Sequence, residues 1–521
     1  MRILRTLLIL SHRYIGIPLS FLFVVWFFSA YFMIYAGGMP RLTPAMQIEA
    51  AQALNLSAVQ VLPATLVDQV GYLPETLTLR TVLGRPVYTL TTQGFPDDQI
   101  FADDGSALEP LTRDQSKQLA AGFLQLPVTS LQFAGTLEVV DQWTISNARD
   151  LPLDKYAVSD DAGTEIYVSP GRAQIAVLTT ASSRMLAWLG TIPHWFYFES
   201  LRVNQGFWYD LVVYSAGIGT VMALLGLALG ITQFRKVRPF NLSRAIPYRG
   251  AMRWHYITGA VFGVITLTWV FSGLLSMEPF DWTNARGLEV DPDVFNGGEL
   301  DPAAYPGFTD PQLLALMPEG VKQLEFVWRQ GQPMLLASYT GPLQDTDDKR
   351  DRLHQPYNIA GQSQAARLMI NPLSLKSVPG FAPDILVQQL AAAVPAQVTE
   401  SRLLEDYDDY YYSRQGELPL PVLRIKFDDP QRSWLYVDPQ RGELLSLVHR
   451  WSRVERWLYN GLHSLDFAFW YHRRPLWDVA VLLLLTGGFI SSMLGLYYAL
   501  RRLGHDAGWL FRRLQLLLKL R

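Results

Sequence analysis

Four histidines occupy matched positions in two halves of this 521-residue chain, and repeated histidines in apolar surroundings are costly enough to imply a function. His12 is followed by Gly16, Trp26 and Ser29; His255 is followed by Gly259, Trp269 and Ser272, at the same offsets of 4, 14 and 17. Further on, Tyr167, Arg184, Trp188 and His194 recur as Tyr436, Arg453, Trp457 and His463, at a constant shift of 269 residues. Two neutral imidazoles facing each other supply the axial ligands of a six-coordinate, low-spin haem iron, and helical bundles hold haem between facing helices in this way. The expected ligand pairs are His12 with His255 for one haem b and His194 with His463 for a second. At about 100° per residue, Gly16 and Gly259 lie one turn on and about 40° round from their histidines, where a side chain would meet a porphyrin plane. Trp26 and Trp269 return to the same stripe about 21 Å further along, at 1.5 Å per residue. They are expected to pack the second haem or to shorten the gap between the two. The competing reading makes the histidines interfacial, the tryptophans part of an aromatic belt and the glycines helix-packing residues.

The elements that must position these side chains are membrane helices. Four apolar segments, roughly 15–36, 207–233, 254–277 and 477–499, are long enough to span a bilayer. Charge separates the remaining sequence. The N-terminal stretch, the connector 234–253 and the tail 500–521 hold 15 of the 44 basic residues and one of the 47 acids, which leaves the rest of the chain at −17. The positive-inside rule therefore places both termini and the connector in the cytoplasm, and residues 37–206 and 278–476 outside. The first apolar segment has no small-residue cleavage site and is read as a retained helix. On this topology His12 and His255 lie near the inner face and His194 and His463 near the outer. About 30 Å of hydrocarbon separates the two histidines of each half, so pairs form only across the halves. A parallel repeat about an axis along the membrane normal brings them together.

The two external segments read as mixed α+β modules. In the first, a helical stretch from Pro44 to Leu54 precedes the strand run TLTLRTVLGRPVYTLTT, a hairpin at Asp103-Asp104-Gly105, a helix around 112–124 and the strand EIYVSP. In the second, FVWRQGQPMLLASYT (326–340) as strands, a helix near 382–393 and the run PVLRIKFDDPQRSWLYVDPQRGELLSL (421–447) as a hairpin repeat the pattern. The chain has no cysteine, which excludes disulfides, thiolate iron–sulfur clusters and covalent c-type haem. It has no Walker loop, HExxH, GxSxG or dinucleotide fingerprint, so a reductase of this design takes electrons from quinol or another protein. Topology accounts for the basic residues, and nucleic-acid binding has no support.

The segments HRYIG (12–16), DAGTEIYVS (161–169), IPHWFYF (192–198), RWHYITGAVFGVITLTWVFSGLLSM (253–277), DYYYSR (409–414), WLYVDPQRG (434–442) and GLHSLDFAFWYHRRPLWD (461–478) resemble the PepSY-associated transmembrane proteins of bacteria over nearly the whole chain. The resemblance implies an inner-membrane protein with four helices in a duplicated parallel repeat and two extracytoplasmic PepSY-like domains, 37–206 and 278–476. That family is functionally mixed. Some members reduce ferric siderophores in iron uptake through membrane haem, and the PepSY module is associated with peptidase inhibition. Two functions follow as expectations: an electron conduit to an external ferric chelate, or a membrane-anchored module that binds a peptide or peptidase.

The remaining histidines, His354, His449, His472 and His505, lack counterparts and are read as solvated or structural, although His472 with Arg473 and Arg474 has the chemistry to meet an anionic group. The acidic tyrosine run Glu405 to Tyr412 has hard-metal ligands, but its alternation predicts an exposed strand edge. Asp210 and Asp478 are predicted to cap the second and fourth helices. The tail 508–521 is predicted to be a short amphipathic helix on the inner surface.

Overall fold

Among the described residues, four helices are long and apolar enough to cross a membrane: α1 (Arg2–Ala36), α2 (Gln205–Gln233), α3 (Gly250–Leu275) and α4 (Leu476–Lys519). This computed structural model describes residues 2–36, 38–92, 97–239, 241–283, 287–340, 365–413, 418–471 and 473–519. The helices carry large exposed apolar side chains, among them Phe21, Ile218, Val264 and Leu483, a surface that suits lipid and not water. The protein is therefore a membrane protein.

The helices belong to one of two compact units, formed by Met1–Gly38, Leu186–Asn284 and Trp451–Arg521. Within it α1 and α2 are antiparallel, since Arg5 near the start of α1 donates to Gln233 at the end of α2. α1 and α4 are antiparallel too, since Tyr35 near the end of α1 donates to Asp478 in the first turn of α4. The bundle core is aromatic: Phe23, Phe27 and Trp269 pack with Met222, Val270, Trp477, Val481 and Leu485. Adjacent Gly487 and Gly488 of α4 receive the rings of Phe262 and Phe27, positions where any Cβ would overlap a ring. Two short segments carry the other histidines. His194 ends the helical turn Thr191–His194, and His463 lies in Leu462–Ser464, directly after a π-helical stretch, Arg456–Gly461. The buried Arg456 and Asp466 are 3.8 Å apart and bracket His463.

The described residues of the second unit, Met39–Met185 with Ala285–Arg450, form three sheets, all antiparallel. Strands β1 (Thr76–Val82), β2 (Arg85–Thr91), β3 (Asp98–Phe101), β4 (Leu131–Leu137), β5 (Leu153–Val158), β6 (Glu165–Ser169) and β7 (Gln174–Thr179) come from the first segment. Strands β8 (Gln323–Arg329), β9 (Gln332–Thr340), β10 (Ala365–Asn371), β11 (Lys376–Val378), β12 (Val398–Leu404), β13 (Val422–Phe427), β14 (Trp434–Asp438) and β15 (Glu443–Val448) come from the second. Each segment builds its own four-stranded meander, β4-β5-β6-β7 and β12-β13-β14-β15, covered by the helices Arg113–Leu124 and Pro383–Ala392 respectively. The third sheet is shared, in the order β11-β10-β9-β8-β1-β2-β3. Its seam pairs Leu77 with Phe326 and Leu79 with Leu324, all buried. Alternation explains β1: Leu77 and Leu79 point into one core, with Thr76, Thr78 and Arg80 on the other face. Residues Leu83 and Gly84, both at positive φ, close the β1–β2 hairpin.

The run predicted as 421–447 is three strands, a meander and not a single hairpin. Three further expectations are corrected. The acidic tyrosine run is a turn beyond β12, not a strand edge: the Asp408 carboxylate accepts from the Tyr410 and Tyr411 amides at 2.9 and 2.7 Å, a local side-chain-to-backbone bond that competes with a strand ladder. The same carboxylate accepts from the Tyr436 hydroxyl at 2.9 Å and pairs with Arg424 at 2.8 Å. Asp210 does not cap α2, because Asn204 does, accepting from the Phe207 amide at 3.1 Å. The tail is not a separate helix: the backbone of α4 continues unbroken to Lys519, since no Pro intervenes and the two glycines there, Gly504 and Gly508, are at ordinary helical φ.

Candidate cofactor site

The structure brings His12 and His255 together, with ring centroids 6.5 Å apart and planes inclined by 34°. It likewise brings His194 and His463 together at 6.1 Å and 75°. His12 lies ten residues into α1, which begins at Arg2.

Every one of the four rings is held through Nδ1. His12 Nδ1 lies 3.2 Å from the Met222 carbonyl on α2, and His255 Nδ1 lies 3.1 Å from the Ser491 carbonyl on α4. His463 Nδ1 lies 3.1 Å from the Trp269 carbonyl and 3.1 Å from Ser272 Oγ. His194 Nδ1 lies 2.9 Å from Ser29 Oγ, and that hydroxyl donates to the Trp26 carbonyl at 3.1 Å. A carbonyl only accepts, so in these seats Nδ1 donates and carries the ring proton of the neutral imidazole. The Nε2 lone pair is thereby left bare, the tautomer a metal needs, with the second nitrogen anchored as ligating histidines ordinarily are. Among the described residues, none hydrogen-bonds any of the four Nε2 atoms.

Seating a ring on a helix carbonyl requires an opening in the helix surface. The carbonyl of residue i already accepts from the amide at i+4, and it has a second lone pair to offer. Four residues beyond Met222 and Ser491 stand Gly226 and Gly495. A Cβ at Gly226 would lie 3.0 Å from His12 Cε1, and one at Gly495 would lie 3.5 Å from His255 Cε1. These glycines were not recognised as site residues from the sequence, although they too stand 269 residues apart.

His12 and His255 line a cavity of about 960 Å³ between the helices, together with Gly16, Gly259, Gly226 and Gly495. A Cβ at Gly16 or Gly259 would meet no protein atom closer than 3.6 or 3.8 Å, so what the missing side chains leave is cavity room. The tryptophans have two parts. Their carbonyls anchor the His194 and His463 seats. The Trp269 indole is buried against Phe27 at 5.7 Å, and that of Trp26 packs on Phe23 and Phe196 at 5.8 and 6.1 Å. Tyr459 lies 5.3 Å from the His463 ring.

What could the pairs hold? Imidazole nitrogen sits about 2 Å from a bound first-row metal, so one ion between two coaxial rings sets their centroids roughly 6 Å apart. Both pairs meet that span. Among the described residues there is no group of three or more His, Asp or Glu side chains able to enclose an ion. Two donors without a third suit an ion that brings its own equatorial ligands, as a porphyrin iron does.

The other candidates fall elsewhere. His449 lies near Gly287 in the second unit, and His505 pairs with Asp506 at 3.3 Å. Arg474 is engaged by Asp478 and stacks over Trp477 at 4.2 Å. His354 and His472 lie outside the described residues. In comparison with known proteins, no family model matches this chain and no curated protein matches it.

Proposed function

We propose that this chain is an electron conduit of the PepSY-associated type, with haem b held by His12 and His255 at one level of the bundle and by His194 and His463 at another. One observation carries the reading: four rings, each tied at Nδ1 and each bare at Nε2, stand in two pairs with centroids 6.5 and 6.1 Å apart. Haem iron, when bound, supplies one-electron exchange between its ferrous and ferric states. The chain's residues do the rest. Carbonyls and hydroxyls fix ring orientation, glycines leave room for a macrocycle, and the Phe23, Phe27 and Trp269 core keeps water out between the two levels. From His12 to Ser29 the helix rises about 25 Å, most of a hydrocarbon layer of about 30 Å.

The distribution of arginines supports a topology with both termini and the α2–α3 connector in the cytoplasm of a bacterial inner membrane, and the sheet-bearing unit outside. The matched histidines, and the matched glycines behind two of them, support a duplicated parallel repeat in which each half provides one ligand per haem. The donor is then quinol or a reductase on the inner side, and the acceptor an external ferric chelate such as a ferric siderophore.

Absorption spectroscopy of detergent-purified protein from haem-replete cells tests the reading. A Soret band, a sharp reduced α-band and two haems per chain are expected, with His255→Ala or His463→Ala reducing the ratio to about one. Protein without pigment would end it.

A further inference from the structure

We infer that the arginine-lined mouth of the helix cavity is an oxyanion site, in which Gln233 with Arg5 and Arg235 takes the carboxylate or phosphodiester oxygens of a ligand whose apolar body lies in the cavity. The mouth residues Arg5, Arg13, Arg235, Arg501 and Arg502 line the cavity, and among the described residues no aspartate or glutamate does. Arg502 is committed to Asp506 at 2.9 Å, whereas Arg13, Arg235 and Arg501 have no ion-pair partner among the described residues. Charge alone would say no more than that this end of the bundle is basic.

Gln233 adds what charge does not. Its side chain lines the same cavity and is 5 % exposed. Arg5 Nη2 lies 2.5 Å from it, and a guanidinium only donates, so the amide oxygen must face Arg5 and the amide nitrogen must face away. That nitrogen is buried and has no acceptor among the described residues. A buried donor without an acceptor is costly to keep, and here the guanidinia surrounding the mouth favour an acceptor that is negatively charged. Deeper in, the walls include Ile17, Phe23 and Leu227, so the cavity is polar and cationic at its mouth and apolar within. A ligand matched to it is an amphiphile with an anionic head. A porphyrin with its propionates has that form, and for this occupant the inference rests on the haem reading above. An anionic phospholipid also presents an oxyanion, a phosphodiester in place of a carboxylate.

The test separates the two sources. Apo-protein in zwitterionic phosphatidylcholine nanodiscs is titrated with haemin and with haemin dimethyl ester, which lacks the carboxylates. Haemin is expected to bind about ten- to a hundredfold more tightly, the effect of one or two charge-assisted hydrogen bonds. Gln233→Leu should remove most of that preference. Gln233→Glu keeps an acceptor for Arg5, and so guards against misfolding, but turns a carboxylate toward the anion and should weaken haemin more than its ester. Native mass spectrometry in phosphatidylglycerol nanodiscs supplies the second arm. If neither porphyrin binds, the haem reading fails, and the oxyanion site stands only if phosphatidylglycerol is retained by the wild type and lost from Gln233→Leu. Equal affinity for haemin and ester, with no Gln233-dependent lipid retention, overturns the inference.

Discussion

Replacing Gly226 by alanine is the sharpest probe of how the His12 seat works. The added methyl would lie 3.0 Å from His12 Cε1 and 3.5 Å from its Nδ1. Carbon atoms in good contact lie about 3.5–4.0 Å apart, so the ring must yield by a few tenths of an ångström. It cannot do so freely, because its Nδ1 is held at 3.2 Å by the Met222 carbonyl. A shift of that size takes up much of the roughly half-ångström tolerance of a preorganised ligand set. Overpacking of this kind costs about 1–3 kcal/mol, which at about 1.4 kcal/mol per factor of ten corresponds to roughly five- to 150-fold weaker binding at the His12–His255 level. Gly495→Ala is the built-in control. Its methyl would lie 3.5 Å from His255 Cε1, an ordinary contact, so the change should be about twofold or less. The assay is the haem-to-protein ratio of purified variants together with the haem dissociation rate, resolved into two phases. Gly226→Ala should accelerate one phase and leave the other unchanged. If Gly226→Ala retained both haems with unaltered rates, or if Gly495→Ala were equally damaging, the seat described here would not be what positions the ligands.

Three other outcomes are expected. Tyr436→Phe removes a hydroxyl that donates to Asp408 at 2.9 Å inside a half-buried ion-pair network, so chemical denaturation of the sheet-bearing unit should shift by about 1.5–3 kcal/mol, with no change in haem content. Glu400 is held below the ordinary glutamate value of 4.5 by hydrogen bonds from Lys426 and Arg424. A depressed carboxylate contributes stability above its unfolded-state value and loses it as pH falls through its folded-state value, so Glu400→Gln should cost less than about 1 kcal/mol at pH 7 and nothing in acid well below pH 4.5, read from denaturation midpoints across pH. Residues 1–250 expressed alone should aggregate during size-exclusion chromatography, since β1 loses β8 and presents an unpaired edge next to the otherwise buried Leu77 and Leu79; co-expression with residues 251–521 should restore a soluble complex in detergent.

The secondary structure that was legible in the sequence is the strongly patterned part. Long apolar runs mark α1 to α4, and alternation with turn residues marks β1, β2, β13 and β14. Local competition defeated the pattern elsewhere. At Asp408 the carboxylate takes up nearby amides and breaks the apparent alternation, and at Asn204 a better cap displaces the role expected of Asp210. The end of α4 was misjudged because a change in composition after residue 499 marks a change of surroundings, which a helix backbone passes through without interruption.

The sequence by itself determined which histidines can meet. Their type, their matched spacing and the direction of each apolar run leave only His12 with His255 and His194 with His463, because in helices that cross a bilayer about 30 Å of hydrocarbon would separate the two histidines of each half. Only the tertiary structure decided how each ring is held. The His12 and His255 anchors are backbone carbonyls 210 and 236 residues distant along the chain, and every residue has a carbonyl, so no side-chain pattern distinguishes these two. The same holds for the β1–β8 seam and for the unpartnered amide of Gln233. Each depends on which surfaces meet after the helices and sheets have packed, and that is set by shape and close contact between distant segments.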